Sequence, residues 1–566
     1  MRFVYFYSAA VMVLLFSLSS LWFYYGDIEA VNAHDFKSFD NYGSGLADQL
    51  APLEKSQAIA SKEVQEKLGD PNSNINKVHF ADVLERDLKD TVVQVFSEVV
   101  EFNWLEPYKS PNQHECAGTG FFINSNWEFS TNHHVVDQAA SITIQFPTSG
   151  KRRYEAEAIT VSPERDLALL RIKPSEVDKV KEDLKIKATR FLRFGDSDLL
   201  KKAEKVMTLG YPLAQNGLKS TTGVISGREN IAGQYYIQIS APINQGNSGG
   251  PCLSKSGCVV GINSASIQGA QNVNYIIPIN EVGLFLEQTA MMPDTGKTKL
   301  WLKPYLGVKF HGADDSLTEF LGNPKPGGIY VAKITPNTLL HKAGIRIGDM
   351  IYRINNLSID GHGEMNVPWN KEEKVSLVSY LARLKIGQKI DIDFYRKGVK
   401  RRVSFTFNHS DRPAICQRYP GYEKIDYEVI GGMVVMDLTL NHLMLLAGAN
   451  PELIKYADSD EHSNPAVVIT KVLLNSPASR SKCIMPGTLI AELNGVKIKN
   501  LADFRKQVLN SVNYMTIKTT QGVFCAIPVS KIIDSELALS QTYFYPLSQT
   551  FLRLQEQALL KGKSVK

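Results

Sequence analysis

Asn244-Gln245-Gly246-Asn247-Ser248-Gly249-Gly250-Pro251 sets a serine among glycines, directly after the strand-like run Tyr235-Tyr236-Ile237-Gln238-Ile239. Gly246, Gly249 and Gly250 accept backbone angles that other residues resist, so the amides around Ser248 can turn toward one point. Converging N–H groups stabilise the oxyanion formed when a carbonyl is attacked, as a nucleophilic serine requires. An ordinary tight turn also uses Gly, Asn and Ser, so the stretch alone supports both readings. Two upstream stretches favour the first. Thr131-Asn132-His133-His134-Val135-Val136 ends a strand on a pair of histidines, and Asp166-Leu167-Ala168-Leu169-Leu170 opens an apolar strand on a carboxylate. A carboxylate at the mouth of a buried strand is costly unless a partner such as an imidazolium N–H needs it. Glu164 and Asp137 are rival carboxylates, and spacing alone does not choose among the three.

Outward from this centre, residues 118–287 read as short β runs divided by turn residues, which indicates antiparallel barrels and not βαβ units. The first strong strand signal is 91–100, and 107–116 reads as a loop. Before it, residues 31–88 are polar, without a sustained apolar period, and read as a flexible spacer with one helix near 56–68. Residues 3–25 are uncharged and mostly apolar, with Arg2 before them and Asp27 and Glu29 after. About 20 such residues suffice to cross a bilayer as a helix, and the flanking charges put the remainder outside the cytoplasm. Residues 1–30 are thus a signal peptide, cut near Val31-Asn32-Ala33, or a retained membrane anchor.

A chain of 566 residues exceeds one hydrophobic core, and its 43% hydrophobic and 21% charged residues are ordinary globular values. The net charge of +5 is close to neutral at this length. The basic runs 151–153 and 397–402 are short and lack interleaved aromatics, so they read as solvated hairpin tips and not as a nucleic-acid surface. Six cysteines are too sparse for a disulfide scaffold. Cys252 and Cys258 bridge only if the hairpin register sets both on one face. No Cys/His spacing resembles a metal site, and Gly296-Lys297-Thr298, with Met291 in place of a leading glycine, reads as a linker and not a phosphate loop.

Past the linker, 291–299, a repeat emerges. Val331-Ala332-Lys333-Ile334 and Gly348-Asp349-Met350-Ile351 are echoed by Ile469-Thr470-Lys471-Val472 and Gly487-Thr488-Leu489-Ile490. The His, Asp and Ser stretches, in that order, resemble the motifs of the HtrA/Deg serine proteases, as do Gly210-Tyr211-Pro212 and Gly223-Val224-Ile225-Ser226. That family usually has Ala where His133 stands, which puts the catalytic histidine at His134. The repeat resembles two PDZ domains, and the whole order is most similar to two-PDZ Deg proteases of plant type.

The resemblance implies a mainly β chain: a chymotrypsin-like double β-barrel, 89–290, a first PDZ domain, 300–410, a second PDZ-like domain, 425–532, and a C-terminal tail, 533–566. It implies an ATP-independent serine endopeptidase acting on unfolded or misfolded proteins, with His134, Asp166 and Ser248 catalytic and Gly246, Asn247 and Ser248 at the oxyanion hole. No metal or cofactor is needed. Tyr305, Leu306, Gly307 and Val308 match the loop whose amides hold a peptide's terminal carboxylate. The second copy, Gly431-Gly432-Met433-Val434-Val435-Met436, reads as lacking a glycine between the apolar pair, and Thr488 stands for the usual Asp, so an assembly role is as well supported there as peptide binding. Ser240-Ala241-Pro242-Ile243, before the nucleophile, contains no acid, which favours small or medium apolar side chains over Lys or Arg at the cleaved bond. Trimers or hexamers are implied, with Phe102 and Trp104 as candidate contacts, in the periplasm, soluble or anchored to the inner membrane through residues 3–25. The rival readings are an inert peptide-binding scaffold or holdase, for which the tandem PDZ-like modules argue, and a membrane-tethered sensor protease.

Overall fold

The computed structural model describes residue 88 and residues 90–563 apart from 216, 232 and 267–272. The apolar segment 3–25, the cleavage site at 31–33 and the spacer with its helix lie outside the described residues.

Six strands form a first barrel: β1 (Val92–Glu101), β2 (Asn112–Phe122), β3 (Glu128–Thr131), β4 (Ala139–Gln145), β5 (Tyr154–Ser162) and β6 (Leu167–Ile172). They are antiparallel in the order β5-β4-β1-β2-β3-β6, and β5 pairs with β6 to close the ring. A one-turn helix, α1 (His133–Val136), leads from β3 toward β4. The second barrel contains β7 (Lys205–Gly210), β8 (Lys219–Ile231), β9 (Gln234–Ile239), β10 (Pro251–Ser254), β11 (Val259–Ser266) and β12 (Asn274–Pro278), closed in the order β10-β11-β12-β9-β8-β7.

Alternation along each strand sorts side chains between two cores. Ala168 and Leu170 fill the first barrel with Val93, Val95 and Phe129. Leu167 and Leu169 point the other way, to a core shared with Met207, Leu209 and Ile277 of the second barrel. The run Leu167-Ala168-Leu169-Leu170 is apolar throughout because both of its faces are buried. Helix α2 (Ile279–Met291) packs Val282 and Phe285 into the shared core. The linker ends in a two-residue strand, β13 (Lys299–Leu300), parallel to β5.

Chain contacts divide into two compact units, residues 303–411 in one and the two barrels with residues 412–566 in the other. The first unit is built on β14 (Val308–His311), β15 (Ile329–Ile334), β16 (Met350–Ile354), β17 (Leu357–Ser358), β18 (Glu364–Val367), β19 (Asn370–Ser376), β20 (Lys389–Arg396) and β21 (Val399–Thr406). Its sheet order is β14-β15-β16-β20-β21, leaving β14 an edge strand, with helix α3 (Leu377–Leu381) in its core. The second repeat is a sheet of β22 (Glu428–Ile430), β23 (Met433–Asp437), β24 (Val467–Val472), β25 (Leu489–Leu493), β26 (Val496–Lys497), β27 (Tyr514–Thr519) and β28 (Phe524–Pro528). Its helices are α4 (Leu440–Leu446), α5 (Leu501–Leu509), α6 (Val529–Tyr543) and α7 (Gln549–Lys563).

Two sequence readings change here. The residues after 532, read as a tail, are helical, and their Phe551 and Leu554 complete the core of the second repeat. The second loop also carries its glycine. The Thr335 amide donates to Gly307 O at 2.6 Å, and the Leu473 amide donates to Gly432 O at 2.8 Å. A Cβ on Gly307 would stand 2.5 Å from Thr338, and one on Gly432 would stand 2.0 Å from Ser476, the same place in the repeat. Ile430-Gly431-Gly432-Met433 is therefore the counterpart of Tyr305-Leu306-Gly307-Val308.

Candidate active site

The two barrels bring the His, Asp and Ser stretches together at their junction. β3 delivers Asn132 and α1: the Asn132 side-chain amide donates to Asp166 O at 2.9 Å, and the His134 backbone amide donates to Asp166 Oδ1 at 3.0 Å. His134 Nδ1 lies 2.9 Å from both carboxylate oxygens of Asp166. Asp166 itself sits in the left-handed region, φ 53° and ψ 44°, at the end of the single turn Pro163–Arg165. Asp tolerates that region better than most residues, and such strain persists only where surroundings hold it. Arg165 supplies part of the hold. It is fully buried, ion-paired with Glu281 of α2, and its guanidinium stands 4.6 Å from the Trp301 ring centroid.

The rival carboxylates separate by place. Asp137 lies 3.4 Å from His133 Nε2, while Asp166 bonds the His134 ring. Partial burial pulls the His134 pKa down, but the charge and hydrogen bond of Asp166 outweigh it and the net shift is upward. His133 is buried, and burial holds it below the usual histidine value against the pull of Asp137 and Asp166. Asp166 thus favours the protonated form of His134, and burial the neutral form of His133.

The turn around Ser248 is gripped by Thr119, near the end of β2. The Thr119 amide donates to Ser248 O at 2.8 Å and its hydroxyl to Gly246 O at 2.7 Å. Gly246 has φ 95°, and a Cβ there would stand 2.3 Å from Tyr211 O. Of the three residues expected at the oxyanion hole, Asn247 donates its amide to Asn244 O at 2.9 Å, closing the turn. Among the described residues, the amides of Gly246 and Ser248 are not taken up by the turn. The Ser248 hydroxyl donates to Ser264 O at 3.2 Å, not to His134. Gly118 ties the two together from behind: a Cβ there would meet Val135 of α1 at 2.6 Å and Ser248 O at 3.2 Å.

Sequence reasoning missed Ser264, whose hydroxyl donates to Asp166 Oδ2 at 3.0 Å from β11. Its only signal was a polar residue in the strand leaving Ser248. Of the expected pocket residues, Ser240 accepts the Val224 amide through its hydroxyl at 2.9 Å, and Ala241 and Ile243 are buried in the second barrel. In the first PDZ, Tyr305, Leu306 and Val308 are buried around Gly307, at the start of the edge strand. Among the described residues no group of three or more His, Cys, Asp or Glu side chains is arranged to hold a metal, and no helix is long and apolar enough to cross a membrane. The six cysteines are free thiols, and the register pairs Cys252 with Gly261, not with Cys258.

Residues 118–262 match the trypsin-like peptidase domain and residues 304–406 the PDZ domain. The chain is 28% identical over 403 residues to a probable periplasmic serine endoprotease DegP-like of Marinomonas sp. (strain MWYL1), covering 70% of this chain and 74% of the relative. It is 28% identical over 399 residues to the serine protease Do-like HtrB of Bacillus subtilis (strain 168), covering 64% and 80%. A solved structure, the HtrA-type protease AlgW with decapeptide, aligns with a TM-score of 0.45 at 22% identity, covering 59% of this chain and 100% of the other. With its two closed barrels and the PDZ sheet that follows them, the chain is a serine endopeptidase with a trypsin-like peptidase domain and a PDZ domain, similar to the DegP-like and Do-like serine proteases.

Proposed function

We propose that Ser248 attacks the peptide carbonyl while His134 takes its proton and returns it to the leaving amine. Asp166 orients the imidazole and stabilises its charged form, and the amides of Gly246 and Ser248 hold the oxyanion. One observation carries this reading: a single carboxylate, Asp166, receives the His134 ring and the Ser264 hydroxyl while two amides beside Ser248 stay open. The hydroxyl reaches the imidazole by rotating from Ser264 O as substrate binds, since catalytic hydrogen bonds often align only then.

The substrates are unfolded polypeptides cut after small or medium apolar side chains, given the absence of an acid among Ser240-Ala241-Pro242-Ile243. The first PDZ takes free C-termini at Tyr305-Leu306-Gly307-Val308 by adding them to the edge of β14. The division is peptidase 89–290, first PDZ 300–410 and second PDZ 425–532 extended by its two C-terminal helices. The chain works outside the cytoplasm, in the periplasm, as a homo-trimer or hexamer, released or held by residues 3–25. Similarity to periplasmic serine endoproteases and the apolar N-terminus support that place.

The test is incubation of the purified chain and its Ser248→Ala form with reduced casein. Cleavage by the first and none by the second is expected. Equal cleavage overturns the assignment of Ser248, and intact casein in both favours the inert holdase.

A further inference from the structure

Between β1 and β2, residues 102–108 leave the first barrel and meet the second PDZ domain. Phe102 and Trp104 pack edge to face with ring centroids 5.0 Å apart, and Trp104 meets His442 of α4 at 5.3 Å and 87°. Trp104 and Leu105 lie against the cluster of Met436, Leu438, Leu446 and Val468. The Thr470 hydroxyl donates to Leu105 O at 2.9 Å, and Lys471 Nζ lies 3.6 Å from Glu106 Oε2. At the far end the Tyr108 ring meets Tyr545, centroids 5.5 Å apart. Burial pushes His442 down to about 4, so the indole rests on an uncharged ring at neutral pH.

The peptide side of the same domain is filled by its own chain. In the first PDZ, β14 pairs with β15 and stands first in the sheet order of the described residues. The equivalent edge of β23 is covered by β22, antiparallel, with Glu428 opposite Val435, Val429 opposite Val434 and Ile430 opposite Met433. A C-terminal peptide added to a PDZ edge runs the same way, ending at the carboxylate loop. Glu428-Val429-Ile430 thus stands where a ligand's last residues would. The Gly431 amide, counterpart of Leu306 in the first loop, donates to Glu536 Oε2 of α6 at 2.8 Å. That carboxyl in turn accepts from the Tyr545 hydroxyl at 2.8 Å.

We propose that the second PDZ domain is a docking module for this chain's own peptidase loop, residues 102–108, and not a receptor for C-terminal peptides. Its ligand edge is closed by β22 and Glu536, and its working surface is the apolar face that receives Trp104.

Hydrogen exchange on the full-length Ser248→Ala chain tests this. Trp104→Ala is expected to speed exchange in residues 440–446 and 467–472 by about tenfold or more, with β7 and the first PDZ unchanged. Unchanged exchange at 440–446 and 467–472 overturns the docking. Thr470→Val removes the bond to Leu105 O without touching the loop, so it decides the matter if Trp104→Ala fails to fold. It should loosen 102–108, and a loop equally protected in that variant also overturns the docking. Protection lost on dilution overturns docking within one chain and assigns the contact to a second copy. A free-acid peptide ending in valine should protect 305–311 and leave 428–437 as they were. Peptide-dependent protection at 428–437 overturns the closed edge.

Discussion

A histidine that serves as general base works only while neutral, and Asp166 holds His134 above its ordinary value of 6.5. The sign follows directly. As pH falls through the raised pKa, His134 takes a proton and kcat/KM is lost, so the acid limb should have its midpoint above 6.5. Asp166→Asn should lower that midpoint and cut kcat by about 10⁴-fold, because it removes the charge and the tautomer control. His134→Ala should cost about 10³-fold or more in casein cleavage, and His133→Ala, touching Asp137 and the barrel wall, only a small factor. Ser264→Ala removes one hydrogen bond of about 1 kcal/mol from Asp166, so a several-fold fall in kcat at unchanged KM is expected. His134, Asp166 and Ser248 were legible because each lies in a short motif with its local setting. Ser264 and Thr119 were not. Their contacts join residues 98 and 127 positions apart, and only the closing of the barrels brings those strands alongside.

Between one element and the next, the two PDZ loops show how far pattern reading reaches. The apolar-Gly-apolar pattern located the first, where Gly307 has φ 61° and its missing side chain admits Thr338 and Thr335. Gly307→Val should therefore weaken free-acid peptides at least several-fold in an anisotropy titration, with amidated peptides weak against both forms. The second loop escaped the pattern because Gly431, not an apolar residue, precedes its glycine, Gly432. Only the Leu473 bond to Gly432 fixes the register. Thr488 proves a workable replacement: its hydroxyl accepts the Met485 amide at 3.2 Å, as Asp349 accepts Arg346 at 2.8 Å. Glu536 adds a pH dependence. Burial, with the charge of Glu428 adding, outweighs the bonds from Tyr545 and Gly431 and raises its pKa from 4.5 to about 7. The folded carboxyl keeps a proton that the unfolded one loses, so its contribution to stability falls as pH rises from 4.5 to about 7. Thermal melts should show Tm dropping across that window in the parent chain and a flatter profile in Glu536→Gln.

For the molecule as a whole, barrel count, domain order and repeat were readable because each rests on many residues in phase. The helical completion of the second PDZ was not, since an amphipathic segment at a chain end reveals no partner until the sheet beneath it exists. The buried Arg165–Glu281 pair was equally hidden. It joins the Asp166 turn to α2, and removing one partner takes a counter-charge from the other in the core. Glu281→Ala should cost about 3–5 kcal/mol in denaturant unfolding and lower kcat with it, whereas Glu155→Ala, on an exposed pair with Lys173, should change little. The covered edge of β23 also has a consequence for valency. If the second domain closes its ligand edge with its own β22, as proposed, gripping a polypeptide end falls to the first PDZ at β14. Avidity for an aggregate that displays many ends then comes only from counting copies. A single chain lets go when one contact opens, while an assembly rebinds at an effective concentration set by its spacing.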